Sequence, residues 1–357
     1  MRACECYIAI EYNKVNANPT FWYALPSLLA VRRMQPLSQQ LQQRLVLLDG
    51  GMGSALESKL PRKIEGHPLW SAAALLAHEE VVQVAHAEFA AAGCNVLTTI
   101  TYQLSPQGCS AHAAVECETG EAALIRLCTQ AVAVARRAAA ESPAAQPALV
   151  AGSVGPMGAA SHDGSEFTGS YLVTADAARA FHEPRLRALH DCGVDILAVE
   201  TQCNWAEIQW LADNLPSICP GLRAWVSFQC RSGEAIADGT LLQQAVRRVL
   251  QCPSVVAVGV NCAASDVCLD AVRLCAKEVA LHAAAGGPRV DVIAYPNGGG
   301  IYNGECNQWE GAAAGSSLAL TLQNFVDAGA TVLGGCCRVS AGEIAEAAAL
   351  ARALQLL

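Results

Sequence analysis

Two cysteines stand side by side near the end of this chain of 357 residues, Cys336 and Cys337, and a third, Cys262, closes a short apolar run far upstream. A disulfide between neighbours in sequence would be strained, so the pair reads better as two thiols or thiolates. Thiolates invite a soft metal. Three of them with one position left open is the ligand set of a catalytic zinc, whereas a structural zinc normally takes a fourth protein ligand. The competing reading is that all three are small buried hydrophobes, as free cysteines often are, and a chain with 17 cysteines gives that reading weight. Position favours a site, because Cys262 and the Cys336–Cys337 pair each fall at the end of an expected strand.

Those strands are short, β-branched apolar runs at 45–48, 95–101, 149–154, 196–201, 224–230, 256–262, 290–295 and 331–335. Each is followed by residues with helical spacing, near 71–92, 119–140, 174–191, 204–215, 240–251, 266–284, 315–328 and 341–356. Asn204 before Glu207, and Ser340 before Glu343, have the spacing of capping boxes. Strict alternation of apolar strand and helix means a parallel sheet covered by helices, and eight repeats is the number that closes a barrel. The expectation is therefore an α/β protein with a single (β/α)8 TIM-barrel domain over residues 37–357, preceded by an extension over residues 1–36. A doubly wound open sheet is the alternative. Met34 stands just before the regular part of the chain and is a second candidate start. The Ala/Gly/Pro stretch at 282–288 reads as a loop.

In such barrels the chemistry gathers at the C-terminal ends of the strands. Here those ends carry Asp49, Gly50, Gly51 and Met52 after the first strand and Thr101, Tyr102 and Gln103 after the second. Glu200 and Thr201 follow the fourth, Asn261 and Cys262 the sixth, and Tyr295, Pro296 and Asn297 the seventh; Gly334 to Cys337 follow the eighth. Other chemistries fail on spacing. The AGSVG stretch lacks the G-x-S-x-G elbow, His78-Glu79 lacks the second zincin histidine, and no GK[ST] follows Gly298 to Gly300. That glycine run is expected to be a flexible loop near the site. A net charge of −9 gives no footprint for nucleic acid, and no apolar run is long enough to span a bilayer. Cysteines odd in number and scattered through a long Ala-rich chain fit a reduced, cytoplasmic setting. Nothing in the sequence marks a dimer surface.

The motifs LLDGGMGSALE (47–57), TYQLSP (101–106), AGSVGP (151–156), GVNC (259–262), YPNGG (295–299) and GGCCR (334–338) resemble those of the zinc-dependent homocysteine S-methyltransferases. The resemblance runs from about residue 45 to the C-terminus, and GVNC followed by GGCC is its most specific part. It implies Zn2+ on Cys262, Cys336 and Cys337, with homocysteine held by Glu200 and by the backbone around Asp49, Gly50, Gly51 and Met52. For Asp49 the alternative is a turn former, and for Glu200 an ion pair on the rim. TYQLSP, SVGPMGA and WSAAAL resemble the branch that uses S-methylmethionine or S-adenosylmethionine more than the betaine-using branch. Asn261 and Asn297 would bind substrate or fix loops, and Tyr102, Phe167, Trp225 and Phe228 are candidate ring partners for a sulfonium donor. The expected reaction moves a methyl group from the sulfonium to the homocysteine thiol, giving methionine. Two other readings use the same residues: a thiol or selenol methyltransferase with selenocysteine as acceptor, and a non-catalytic zinc or thiol barrel that senses redox state.

Overall fold

Alternate residues of a strand face opposite ways, and here that period of two sorts each apolar run between two cores. The structure, a computed structural model, describes residues 35–60, 67–116, 119–142, 146–161, 163–303, 308–311 and 317–357; most of the expected N-terminal extension therefore lies outside the described residues. Eight strands are all parallel: β1 (Val46–Leu47), β2 (Val96–Thr98), β3 (Leu149–Val154), β4 (Ile196–Gln202), β5 (Ala224–Phe228), β6 (Val255–Asn261), β7 (Asp291–Tyr295) and β8 (Val332–Leu333). Each pairs with its neighbour in sequence from β2 to β8, and β8 pairs with β1. A parallel bridge between Leu48 and Val96 joins β1 to β2 and closes the ring. The fold is a (β/α)8 barrel.

Inward-facing Ile196, Ala198, Trp225, Ala257 and Ile293 form the barrel interior, while their neighbours Leu197, Val199, Val226, Val258 and Val292 face out. The outward set packs under α1 (Glu79–Ala92), α2 (Gly120–Glu141), α3 (Ala175–Asp191), α4 (Trp205–Ile218), α5 (Leu242–Val249), α6 (Ser265–Ala284), α7 (Leu318–Asp327) and α8 (Ala341–Ala353). Each fully buried Leu or Val is worth about 1.5–3 kcal/mol, so the double core is the main source of stability. The base of the barrel is plugged by the helical turn Leu37–Leu41, whose Leu37 enters the interior cluster. Ser38 fastens the plug by donating to Asp291 through its N–H (3.0 Å) and its hydroxyl (2.5 Å). The interior is thus sealed at that end, leaving the C-terminal rim as the place for a site.

Local departures from the sequence-based expectation have local causes. The helix expected over 71–92 is interrupted, because His78 leaves the helical region (φ −141°, ψ 39°) between the short helix Ala74–Ala77 and α1. Ser340 and Glu343 do form a complete capping box at the start of α8. At α4 only half of one exists. Asn204 accepts from the N–H groups of Ala206 and Glu207, but the Glu207 carboxylate is occupied elsewhere: it accepts from Met157 N–H (2.7 Å) and Tyr171 O–H (2.6 Å) and contacts His182 Nε2 (2.6 Å). Two further helices, Met52–Glu57 and Pro106–Glu116, follow β1 and β2, and two ribbons, Cys230–Ser232 with Ala235–Ile236 and Ile301–Asn303 with Gln308–Glu310, decorate the loops.

Candidate metal centre

Cys262 comes immediately after β6, and Cys336 and Cys337 follow β8 across Gly334 and Gly335. The loop after the intervening strand, β7, fastens both thiol-bearing segments to itself. Cys262 N–H donates to Tyr295 O (3.2 Å) and Asn297 N–H to Ala263 O (3.0 Å) on one side. On the other, Cys336 N–H donates to Pro296 O (2.9 Å) and Gly298 N–H to Cys337 O (2.9 Å). The first strand's loop presses on the pair from below: a Cβ at Gly51 would lie 2.6 Å from the carbonyl oxygen of Cys336, so only glycine lets the two backbones approach this closely.

The result is convergence. The sulfurs of Cys262 and Cys337 are 3.9 Å apart, and all three thiol sulfurs lie within 4.8 Å of one another. That is far from a disulfide, whose sulfurs are about 2.05 Å apart. Zinc–sulfur bonds of about 2.3 Å at tetrahedral angles put neighbouring sulfurs roughly 3.8 Å apart, so the triad fits a single zinc-sized ion. Hydrogen bonds from Cys262 and then Cys336 hold the Cys337 thiol well below its usual range, while contacts with Cys336 and Cys337, and then burial, push Cys262 well above it. One thiolate is thus favoured in the cluster and the next is resisted, a conflict that a divalent cation resolves.

Two carboxyl groups lie beside the thiols. Glu200, on the inward face at the end of β4, accepts from the Ser153 hydroxyl and, at 3.0 Å, from Tyr295 O–H. Tyr295 is itself anchored by Trp225 Nε1–H (3.1 Å) and by the Ser227 hydroxyl (2.5 Å). Burial pushes the Glu200 carboxyl up to about 7, against the pull of the Ser153 hydrogen bond. Asp49 is not fastened within its own turn; it accepts from the N–H (2.7 Å) and hydroxyl (2.9 Å) of Thr98 on β2, and burial pushes it up to about 7. Asn261 locks the rim by accepting from Thr201 N–H (2.9 Å) and donating to Thr201 Oγ1 (2.8 Å).

The backbone is strained here. Six described residues other than glycine have positive φ; Gln42 and Gln355 lie at or just past helix ends, whereas Trp70, Thr201, Cys262 and Arg338 crowd the site. Such conformations cost about 1–3 kcal/mol each and persist where the surroundings over-determine them, as the Asn261 clamp does for the β-branched Thr201.

One cavity of about 310 Å³ unites the expected residues: Asp49, Gly50, Gly51, Met52, Tyr102, Glu200, Asn261, Cys262, Cys336 and Cys337 all line it, as does Phe167. Asn297 lies outside its wall, where its N–H donates to Ala263 O. Trp225 is fully buried beneath the cavity, and Phe228 faces the outer core, so the strand period removes both from contact with a ligand. Trp70, Ser153, Glu166 and Tyr295 are lining residues that the sequence reading did not single out for substrate. Tyr295 sits at a strand end in an expected motif and was legible there; Glu166 lies in an aperiodic loop with no such signal. No Lys, Arg or His lines the cavity among the described residues.

Comparison with known proteins follows the same residues. The family model described as homocysteine S-methyltransferase matches residues 46–351. The homocysteine S-methyltransferase of Escherichia coli is 38% identical over 306 residues, 85% of this chain and 94% of its own length. The homocysteine S-methyltransferase YbgG of Bacillus subtilis is 32% identical over 87% of this chain and 96% of its own. Among solved structures, the metallated form of the homocysteine methyltransferase MmuM from Escherichia coli superposes with a TM-score of 0.72 at 36% identity, covering 88% of this chain and 98% of that one. With the matched region running from β1 to the last turns of α8 and so including all three thiol-bearing positions, this chain belongs to the homocysteine S-methyltransferase family.

Proposed function

We propose that the protein is a zinc-dependent methyltransferase that moves a methyl group from a sulfonium donor, S-methylmethionine or S-adenosylmethionine, to the thiol of homocysteine. The observation that carries this reading is the convergence of three thiols in a cavity lined by carboxyl groups and, among the described residues, by no Lys, Arg or His. Cys262, Cys336 and Cys337 would hold Zn2+, which supplies the charge that keeps an acceptor thiol deprotonated near neutral pH. Glu200 receives the homocysteine ammonium, with Ser153 and Tyr295 fixing its orientation. Asp49 ties the Gly50–Gly51 turn to β2, and Asn261 keeps Thr201 beside the thiols, so both substrates meet in one geometry.

The chemistry balances simply. A C–S bond of the donor breaks with its electron pair left on the donor sulfur, which becomes a neutral thioether, while the acceptor sulfur gains the methyl group. With S-methylmethionine both products are methionine. Thiolate and sulfonium charges cancel during transfer, and the lower dielectric of a protein cavity favours such charge loss. Tyr102 and Phe167 offer ring faces to the sulfonium without adding charge. Residues 37–357 would form the working domain, and a reducing cytoplasm is the setting that keeps its thiols free.

The test is methionine formation by zinc-loaded protein given homocysteine and either S-methylmethionine or S-adenosylmethionine. Chelator-sensitive methionine production is expected with at least one donor. No product from either donor, with one zinc bound per chain, would overturn the reading.

A further inference from the structure

One buried carboxyl oxygen in the cavity has no hydrogen-bonding partner. Asp49 and Glu200 both have each oxygen hydrogen-bonded. Glu166 is 9% exposed and lines the cavity, yet its Oε2 has no hydrogen-bonding partner. It is carried by the single helical turn Ser165–Phe167 in the loop after β3. That turn is clamped by Phe167 N–H donating to Gly164 O (2.9 Å) and Gly169 N–H to Ser165 O (2.8 Å), so the backbone that carries the carboxyl is fixed. A buried carboxylate oxygen without a partner is costly, and among the described residues the wall of the cavity offers no Lys, Arg or His to offset it. A cationic ligand would offset that cost.

We propose that Glu166 binds the α-ammonium of the methyl donor, so that the cavity holds two amino-acid ammonium groups on two separate carboxylates, homocysteine on Glu200 and the donor on Glu166. This rests on the methyltransferase reading above. The sulfonium itself is the less suitable partner for a carboxylate. Its charge vanishes during transfer, so a strong ion pair there would stabilise the ground state over the transition state. The ammonium keeps its charge throughout, and pairing it adds affinity without raising the barrier. Phe167, next along the same turn, and Tyr102 leave the sulfonium end to ring faces.

The experiment is calorimetric titration of zinc-loaded wild type and Glu166→Gln with three ligands: S-methylmethionine, its amine-free analogue 4-dimethylsulfoniobutanoate, and homocysteine. Wild type is expected to bind S-methylmethionine about 10- to 100-fold more tightly than the amine-free analogue, the size of one charge-assisted hydrogen bond. In Glu166→Gln that gap should close, with affinity for the analogue and for homocysteine within about threefold of wild type. In turnover the variant should show a raised KM for the donor and a kcat within about threefold, as loss of uniform binding requires. Homocysteine binding within threefold also reports that the variant is folded. An undiminished preference for S-methylmethionine in Glu166→Gln, or no preference in wild type, overturns the assignment. If the binding pattern holds while wild type transfers no methyl group, the transferase reading fails and the ammonium site stands.

Discussion

The two mouths of the barrel are built from the same strands and differ in how they treat charge. At the base, Asp291 is 3% exposed and fully served, taking Ser38 N–H, the Ser38 hydroxyl and Thr331 Oγ1–H at 2.9 Å. Arg223, equally buried, donates to the carbonyls of Asp195 and Gln35, both at 3.2 Å. At the rim, Asp49, Glu200 and Glu166 are all pushed up to about 7 by burial, three thiols compete for protons, and four residues sit at positive φ. Asp291 and Arg223 at the base are served by the protein itself; at the rim Glu166 Oε2 has no partner and the thiols contend for protons, a demand that ligands can meet. Strain and unpaired charge at one end are tolerated because the other end and the double core supply the stability.

The contrast can be broken most sharply at the thiols. Replacing Cys262, Cys336 or Cys337 with Ala should abolish stoichiometric zinc binding and lower kcat/KM by about 10³-fold or more, since metal stabilisation is worth several kcal/mol. Thermal unfolding of the metal-free variants should match metal-free wild type within about 3 °C, because these side chains add little to the core.

Glu200→Gln probes both sides of the contrast at once. Homocysteine KM should rise by about 10- to 100-fold. Stability of the metal-free protein should move the other way. Folded Glu200 holds its proton up to about pH 7, against an ordinary value of 4.5, so the native state binds more protons than the unfolded one in that window and stability falls as pH rises through it. The variant lacks this loss and should gain up to ~3 kcal/mol at pH 8 and nothing at pH 4, read from urea unfolding. Equal stability of the two proteins at pH 8 would contradict a costly rim.

The base should behave in the opposite manner. Asp291→Ala strands three donors and should cost about 2–3 kcal/mol of unfolding free energy while leaving KM for both substrates unchanged. The smallest effect is expected at Asn297→Ala, with kinetic constants within about threefold of wild type, since this residue reaches the Cys262 segment by its backbone N–H, which alanine keeps.

Much of this was legible in the sequence where period and position speak together. The run 149–154 is β3 to the residue, and the cysteines of GVNC and GGCC converge because strand ends in a closed barrel share one rim. The helices Met52–Glu57 and Pro106–Glu116 escaped because neither carries a clear apolar stripe of helical period. Asp49 reads as a turn residue in isolation; that it serves Thr98 on the neighbouring strand depends on a pairing distant in sequence. The same holds for Glu207, whose spacing suits a cap but whose carboxylate is claimed by Tyr171, His182 and Met157. Trp225 and Phe228 show the limit of residue type alone, since the strand period points one below the cavity and the other away from it.

The central claim is that the three thiols act as one ligand set with a place left for substrate sulfur. Zinc K-edge X-ray absorption of the loaded protein tests it most directly. Three sulfur scatterers at about 2.3 Å, rising to four when homocysteine is added, is the predicted result. Fewer than three sulfurs at rest, or a count that homocysteine leaves unchanged, would contradict the account.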